Sequence, residues 1–386
     1  MHKQIQAFAH NNLHKPSWQA TDWAWLALTE LKLSFSQSRQ LIEKWPDIEA
    51  LFYQVDLEQL QTFLSPQQRH HWQRLRNTDL PTYFYQHHTW LQANPAYLLT
   101  FYDADFPQQL KLLDDCPGWL WVQGNRQLLA DPAIAMVGGR RASPSGLALA
   151  TEYAQALATA GLTIVSGLAI GIDGASHAGA LAAQGDTIAV LGSGLAKLYP
   201  VRHQHLAQQI VANNGALVSP WPLFLQAMPY QFPIRNSLIS GLSLALLVVE
   251  AAQKSGSLIT AKTALEQGRE VFALPASPHN KQAQGGLDLI SDGARLVYTP
   301  QQILAELAPI LSDTICISMD ADKASLEVNL STSLQQLLNQ FGSDPLPIDI
   351  ICQQLALPYA EVAAQLMELT LLGYLVEGPK GYERIG

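Results

Sequence analysis

Cysteine is nearly missing from this chain. Three residues in 386, Cys116, Cys316 and Cys352, lie far apart and are odd in number. They give neither a disulfide framework nor a thiolate metal cluster, and they suit a reducing compartment, so a cytoplasmic location is expected. No apolar run approaches the ~18 residues needed to span a membrane, and Met1-His2-Lys3-Gln4 lacks the apolar core of a signal peptide, so no membrane association is expected. The Walker phosphate loop is missing as well, because no Gly-Lys-Ser/Thr follows a glycine at the required spacing. So is GxGxxG: Gly192-Ser193-Gly194-Leu195-Ala196-Lys197 puts lysine where the third glycine belongs, which weakens a nicotinamide-cofactor reading. Ser166 and Ser257 have no G-x-S-x-G elbow around them, and His203 and His205 have no third ligand nearby, so neither a serine hydrolase nor a zinc site is expected.

Basic charge is also scarce. The net charge is −9, which argues against a broad electrostatic footprint for nucleic acid. Its distribution is uneven. Residues 131–300 hold ten Lys/Arg against nine Asp/Glu, whereas the rest holds thirteen against twenty-three. A small basic patch is therefore compatible with the centre of the chain, between acidic flanks.

What is present is a repeated local grammar between Ala133 and Thr299. Leu162-Thr163-Ile164-Val165 runs into Ser166-Gly167, and glycines at 171 and 174 precede a helix start at Ala175-Ser176-His177. Ala133–Val137 runs into Gly138-Gly139-Arg140-Arg141, Thr187–Leu191 into Gly192-Ser193-Gly194, and Leu244–Val249 into Glu250 and then Ser255-Gly256-Ser257. Continuous apolar strands separated by helical segments predict a parallel sheet covered on both faces. Ligands of such sheets bind beyond the carboxyl ends of the strands, where all four Gly/Ser clusters fall. Glycine lets backbone N–H groups approach a ligand, and a helix N-terminus adds free donors with partial positive charge, so phosphate is the expected ligand chemistry.

The flanks read differently. Residues 1–100 are expected to form a helical, SAM-like domain, with Trp18, Trp23, Trp25, Leu26, Leu28, Leu31 and Leu33 in one Pro- and Gly-free segment and Asp22 as a candidate cap. Six of the nine tryptophans precede residue 100, and core packing is the reading preferred over base stacking. The pairs His70-His71 and His87-His88 read as surface residues, since helix neighbours point about 100° apart. A strand around Trp119 ends at Gly124-Asn125, and Asp114-Asp115 reads as a solvated turn. Residues 101–310 form the expected Rossmann-like domain, 311–332 a linker, and 333–386 a winged helix. In the last, Leu334, Leu337, Leu338 and Phe341 mark one helix, Ile348, Ile351 and Leu355 a second, and Val362, Leu366, Leu369 and Leu372 a third, before a hairpin around Gly378-Pro379-Lys380.

The candidate binding residues follow. Gly138, Gly139, Ser166, Gly167, Ser193, Gly194, Ser255, Gly256 and Ser257 supply N–H and hydroxyl donors, while Arg140, Arg141, Arg202, Arg235 and Lys262 supply charge close to those loops. Phe232, beside Arg235, offers a stacking face for a base. Arg140 and Arg235 are expected to reach one phosphate chain. The competing expectation is that both make structural ion pairs with Glu250 or Asp173.

These residues resemble the DprA/Smf family, the DNA-processing proteins of natural transformation. The resemblance rests on Val137-Gly138-Gly139-Arg140, Ser166 through Asp173, Ile188 through Gly194 with Tyr199-Pro200, Phe232-Pro233-Ile234-Arg235-Asn236, Ser255 through Ala261 and Ala264 through Val271. It is strong over about 105–310. It implies a Rossmann-like domain that binds single-stranded DNA, dimerises, and delivers that DNA to the RecA recombinase without cofactor or catalytic step. By motif it implies a pocket of Arg140, Ser166, Gly167, Phe232, Arg235, Asn236 and the Ser255-Gly256-Ser257 loop. Ile234 and Ser237 stand where basic residues are common in the family. The alternative is a nucleotide phosphoribohydrolase-like enzyme. Its P-G-G-x-G-T-x-x-E signature would supply a catalytic glutamate, but the corresponding stretch, Lys254 to Ala261, is followed by no glutamate until Glu266.

Overall fold

In the computed structural model, residues 18–315 are described continuously and residues 334–384 in part. The chain divides into two compact units, Met1–Ser312 and Asp313–Gly386.

The first unit is built on a nine-stranded sheet. In chain order the strands are β1 (Ala96–Thr100), β2 (Trp119–Gly124), β3 (Ala133–Val137), β4 (Thr163–Ser166), β5 (Thr187–Val190), β6 (Ala216–Ser219), β7 (Ala245–Val248), β8 (Glu270–Ala273) and β9 (Arg295–Leu296). Across the sheet the order is β1-β2-β6-β5-β4-β3-β7-β8-β9. From β6 to β9 all neighbours are parallel, whereas β2 pairs antiparallel with both β1 and β6. The sheet is thus the expected doubly wound parallel one, extended at one edge by an antiparallel pair. Strands β3 to β7 are buried at every position, which is why their sequences read as unbroken apolar runs rather than alternating ones.

Strand order reverses between β3 and β7. β3 is followed by β4 on one side, while the chain returns to β7 on the other. Such a switch point leaves a crevice beyond the strand ends, since the connecting helices depart to opposite faces. The helix Pro144–Thr159 follows β3 and the helix Gly256–Glu266 follows β7. Both begin with serine caps, Ser143 accepting from the Gly146 N–H at 3.0 Å and Ser255 from the Ser257 N–H at 3.4 Å.

The N-terminal helices pack on the sheet. Side chains alternate across β2: Trp119 and Trp121 share a core with Trp25, Leu26, Trp72 and Phe84, while Leu120 and Val122 face the opposite core with Leu99, Val190 and Val218. The Trp25 and Trp119 rings meet edge to face at 6.2 Å. Trp25, Trp72, Trp119 and Trp121 are therefore core residues. The first described helix starts at Ala20 rather than after Asp22, and Asp22, at its third position, accepts from the Gln19 N–H at 2.7 Å in a capping box. The paired histidines are not all surface residues. His70 is exposed, but the His87 ring lies edge-on to Phe84 at 5.0 Å and Phe224 at 4.6 Å, with Nε2 3.3 Å from Glu30.

In place of the start of the expected linker, Pro300–Ile315 is a helix, and residues 316–332 lie outside the described residues. The second unit holds the helix Ile348–Leu355 and a hairpin of β10 (Leu375–Gly378) and β11 (Gly381–Arg384). Leu334, Leu337, Phe341, Ile351, Val362, Leu366 and Leu369 form its core, the winged-helix arrangement expected from the leucine spacing. Leu338 and Leu372 lie outside the described residues.

Candidate nucleic-acid interface

A cavity of about 610 Å³ opens at the switch point. Its walls come from the loop after β3 (Gly138, Gly139, Arg140, Arg141), the loop and helix start after β7 (Lys254, Ser255, Gly256, Ser257), and the helix Gln231–Gly241 (Phe232, Arg235, Asn236). Nine of the twelve expected site residues meet there. Gly167 lines an adjoining cavity of about 300 Å³ with Arg140, Arg141, Ala169, Ile170, Tyr199, Pro200 and Phe232. Two expected residues do not reach either cavity. Ser166 is fully buried and donates to the Met136 carbonyl at 2.6 Å, tying β4 to β3. Lys262 projects into solvent from the second turn of its helix, 4.0 Å from Glu266.

Close backbone approach shapes the rim. Gly171, at the N-terminus of the helix Ile172–Ala182, has φ +93°, and a Cβ there would lie 2.3 Å from the Gly139 carbonyl oxygen. Glycine is thus needed both for the dihedral and for bringing the loops after β3 and β4 together. The Glu250 side chain holds the neighbouring segment. Its carboxylate accepts from the Ser143 N–H at 2.7 Å, the Ser143 hydroxyl at 2.5 Å and the Asn280 amide at 3.3 Å, while its carbonyl accepts from the Gly139 N–H at 2.6 Å. Glu250 therefore fixes the loop after β3, the helix N-terminus and the polar loop 275–283, and makes no ion pair with either candidate arginine.

The two candidate arginines part company. Arg140 is exposed, its guanidinium carbon 5.0 Å above the Phe232 ring, a cation–π contact that keeps its charge at the cavity mouth. Arg235 is buried. It donates to the main-chain oxygens of Gly167, at 2.6 Å, and Val190, thereby capping the ends of β4 and β5, and to the Asn236 side chain at 3.2 Å. Burial lowers its pKa to about 10, opposed by the neighbouring Asp173. Asp173 is the one acid lining the larger cavity. Burial pushes its carboxyl up, against the opposing pull of Arg235 and the Ala169 and Gly167 N–H groups. Arg235 thus shapes the cavity wall with its charge turned inward, and the expectation of two arginines on one phosphate chain narrows to Arg140 with Arg141 and Lys254 beside it.

The third glycine cluster does packing work. Phe232 lies so close to Gly192 that a Cβ there would come within 2.9 Å of its ring, and Ser193 and Gly194 are buried against Ser219 and Leu225. Tyr199 is the residue that the sequence reading left out of the site. The residue is 48% exposed, and its ring stands 5.9 Å from that of Phe232. Among the described residues, no three His, Cys, Asp or Glu side chains are grouped to hold a metal ion, and no helix is long and apolar enough to cross a membrane.

With this geometry in place, the comparisons with known proteins are specific. Residues 97–308 match the family of DNA recombination-mediator protein A, and residues 321–381 match the DprA winged helix domain. The chain is 41% identical over 302 residues to Protein Smf of Escherichia coli, covering 77% of this chain and 79% of that protein. It is 41% identical over 204 residues to DNA processing protein DprA of Streptococcus pneumoniae, covering 53% and 72%. The crystal structure of the Streptococcus pneumoniae protein superposes with a TM-score of 0.63 at 31% identity, over 75% of this chain and 98% of that one. DNA processing protein A from Helicobacter pylori, solved for its single-stranded DNA binding mode, gives a TM-score of 0.50 at 28% identity, over 55% and 96%.

Proposed function

This chain belongs to the DNA recombination-mediator protein A family, and we propose from that premise that it binds single-stranded DNA in the cavity at the switch point, without catalysis. The observation that carries the reading is the composition of that cavity. An exposed arginine over an aromatic ring adjoins glycine loops and a serine-capped helix N-terminus. A single strand needs a phosphate-binding edge and a flat face for its bases, and both are offered here. The single-stranded DNA binding of the Helicobacter pylori relative supports the same ligand.

Of the twelve residues expected, the proposed site keeps Gly138, Gly139, Arg140, Gly167, Phe232, Asn236, Ser255, Gly256 and Ser257, with Arg235 as its buried support and Ser166 and Lys262 outside the cavities. In the family context the DNA is incoming DNA of natural transformation, protected and passed to the RecA recombinase in the cytoplasm. A homodimer through the Rossmann-like domain is part of this reading. The domain reading is 1–100, 101–310 and 333–386, with a linker from 311 to 332.

Titration with fluorescent oligonucleotides tests the reading. Single strands should bind in preference to duplex of the same length, with weak sequence preference. Equal or tighter binding of duplex would overturn it. The hydrolase alternative predicts free adenine on incubation with AMP, and the noncatalytic reading predicts none.

A further inference from the structure

The smaller cavity beside the main one has its own chemistry. Ala169, Ile170, Tyr199, Pro200 and Phe232 make it largely apolar, and Arg140 and Arg141 complete its lining with Gly167. Its volume, about 300 Å³, falls at the lower end of the ~300–1,000 Å³ of small-ligand sites. It shares Arg140, Arg141, Ala169 and Phe232 with the larger cavity, so the two adjoin and have two arginines in common.

Two of the apolar side chains are oddly placed for residues with no ligand. Tyr199 is 48% exposed and Ile170 41% exposed, although both are large and sit at the cleft of a parallel sheet. Tyr199 tilts by 59° against Phe232 at 5.9 Å, leaving its ring unstacked. By contrast, Phe232 is half-buried, with Arg140 over its ring and the Gly192 backbone close beside it. Tyr199 is therefore the more open aromatic ring of the smaller cavity.

We propose that the smaller cavity is a second nucleobase subsite in which Tyr199 stacks a base, the phosphate linking it to the base in the main cavity lying against Arg140 and Arg141. The proposal rests on the reading that the main cavity binds single-stranded DNA. Two adjoining cavities that share two arginines match the alternation of base and phosphate along a single strand. Stacking on tyrosine is indifferent to base identity, since every base has a π-face.

The test is binding of fluorescent oligo-dT to the full chain and to Tyr199→Ala, Tyr199→Phe and Tyr199→Trp, with thermal melts in parallel. Tyr199→Ala should weaken binding by about five- to a hundredfold, the range for one stacked base. Tyr199→Phe and Tyr199→Trp should bind like the parent. The log–log salt slope should be the same in all four, because tyrosine contacts no phosphate. A 2-aminopurine placed in the oligonucleotide should be quenched in the parent and in Tyr199→Phe, and less so in Tyr199→Ala. Parent-like binding by Tyr199→Ala, or an equal loss in Tyr199→Phe, would overturn the subsite while leaving the main cavity standing. Failure of the parent to bind single strands at all would instead remove the underlying reading.

Discussion

Arg235 donates to the Gly167 carbonyl oxygen at 2.6 Å and so joins the helix Gln231–Gly241 to the end of β4. Its charge is spent on main-chain oxygens and on the proximity of Asp173. Arg235→Ala would leave the Gly167 and Val190 carbonyls without that donor and remove a positive charge near the buried Asp173. A loss of about 1–3 kcal/mol in unfolding free energy is expected, the cost of leaving buried acceptors without their donor. Chemical denaturation of the variant measures it. Stability within 1 kcal/mol of the parent, about a fivefold change in the folding equilibrium, would return Arg235 to the list of DNA contacts.

Glu250 makes a different kind of junction. Glu250→Ala leaves the Ser143 N–H, the Ser143 hydroxyl and the Asn280 amide without their acceptor at half-buried positions, so a loss of about 1 kcal/mol is expected. Glu250→Gln keeps one acceptor oxygen and should lose less. Loosening should be local as well. Limited proteolysis should cut within 275–283 sooner in Glu250→Ala, and unchanged cleavage there would show that Asn280 does not depend on this tether.

His177 makes stability depend on acid. Its ring is fully buried, Nδ1 is 2.7 Å from the Thr187 hydroxyl, and burial, with His203 and Arg235 nearby, lowers its pKa to about 3. The unfolded chain takes up this proton near pH 6.5 and the folded chain only near 3. Between those values the unfolded state holds more protons, so stability is full above about 6.5 and falls as pH drops toward 3, by about 1.4 kcal/mol per unit. His177→Gln should flatten the dependence of unfolding free energy on pH between 4 and 6 by that slope relative to the parent. Parallel curves would mean that His177 titrates alike in both states.

The parts of this architecture that are legible in the sequence are those with a one-dimensional signature. Strands β3 to β8 announce themselves as short apolar runs ending at glycine or polar residues, and the helices between them end where Gly161, Gly185 and Gly268 stand. β1 has no such mark. Ala96–Thr100 follows a helix and Pro95 directly, and its place beside β2 comes from long-range pairing. The site divides in the same way. The glycine loops after β3 and β7 point to the crevice, since their position follows from topology. Whether an arginine faces solvent or main-chain oxygens depends on atoms 45 and 68 residues away, as with Arg235 and the carbonyls of Val190 and Gly167. Exposure of an aromatic such as Tyr199 has no sequence signature either.

The winged helix is expected to stand apart from strand binding. Residues 333–386 hold two basic residues, Lys380 and Arg384, against six acidic ones. The stretch expected as its third helix carries Glu361 and Glu368 and no Lys or Arg. Laying a helix against DNA phosphates requires positive charge, so a protein-contact or spacing role is expected. Deleting 333–386 should leave single-strand affinity nearly unchanged. A large loss in a truncated protein that melts like the parent would assign DNA contacts to this unit.

Arg140 is where binding and stability should separate. It is exposed, makes a cation–π contact with Phe232, and lines both cavities. Arg140→Ala removes a charge but leaves the helices and strands with their own hydrogen bonds, so its melting temperature should match the parent. Single-strand affinity should fall severely. The log–log salt slope should become shallower by about 0.7, the contribution of one phosphate contact in a single strand. Arg140→Lys keeps the charge but not the planar two-pronged donor set, so it should restore the slope and only part of the affinity. Phe232→Ala should weaken binding with its slope intact. Unchanged affinity in a folded Arg140→Ala protein would place the DNA site elsewhere on the molecule.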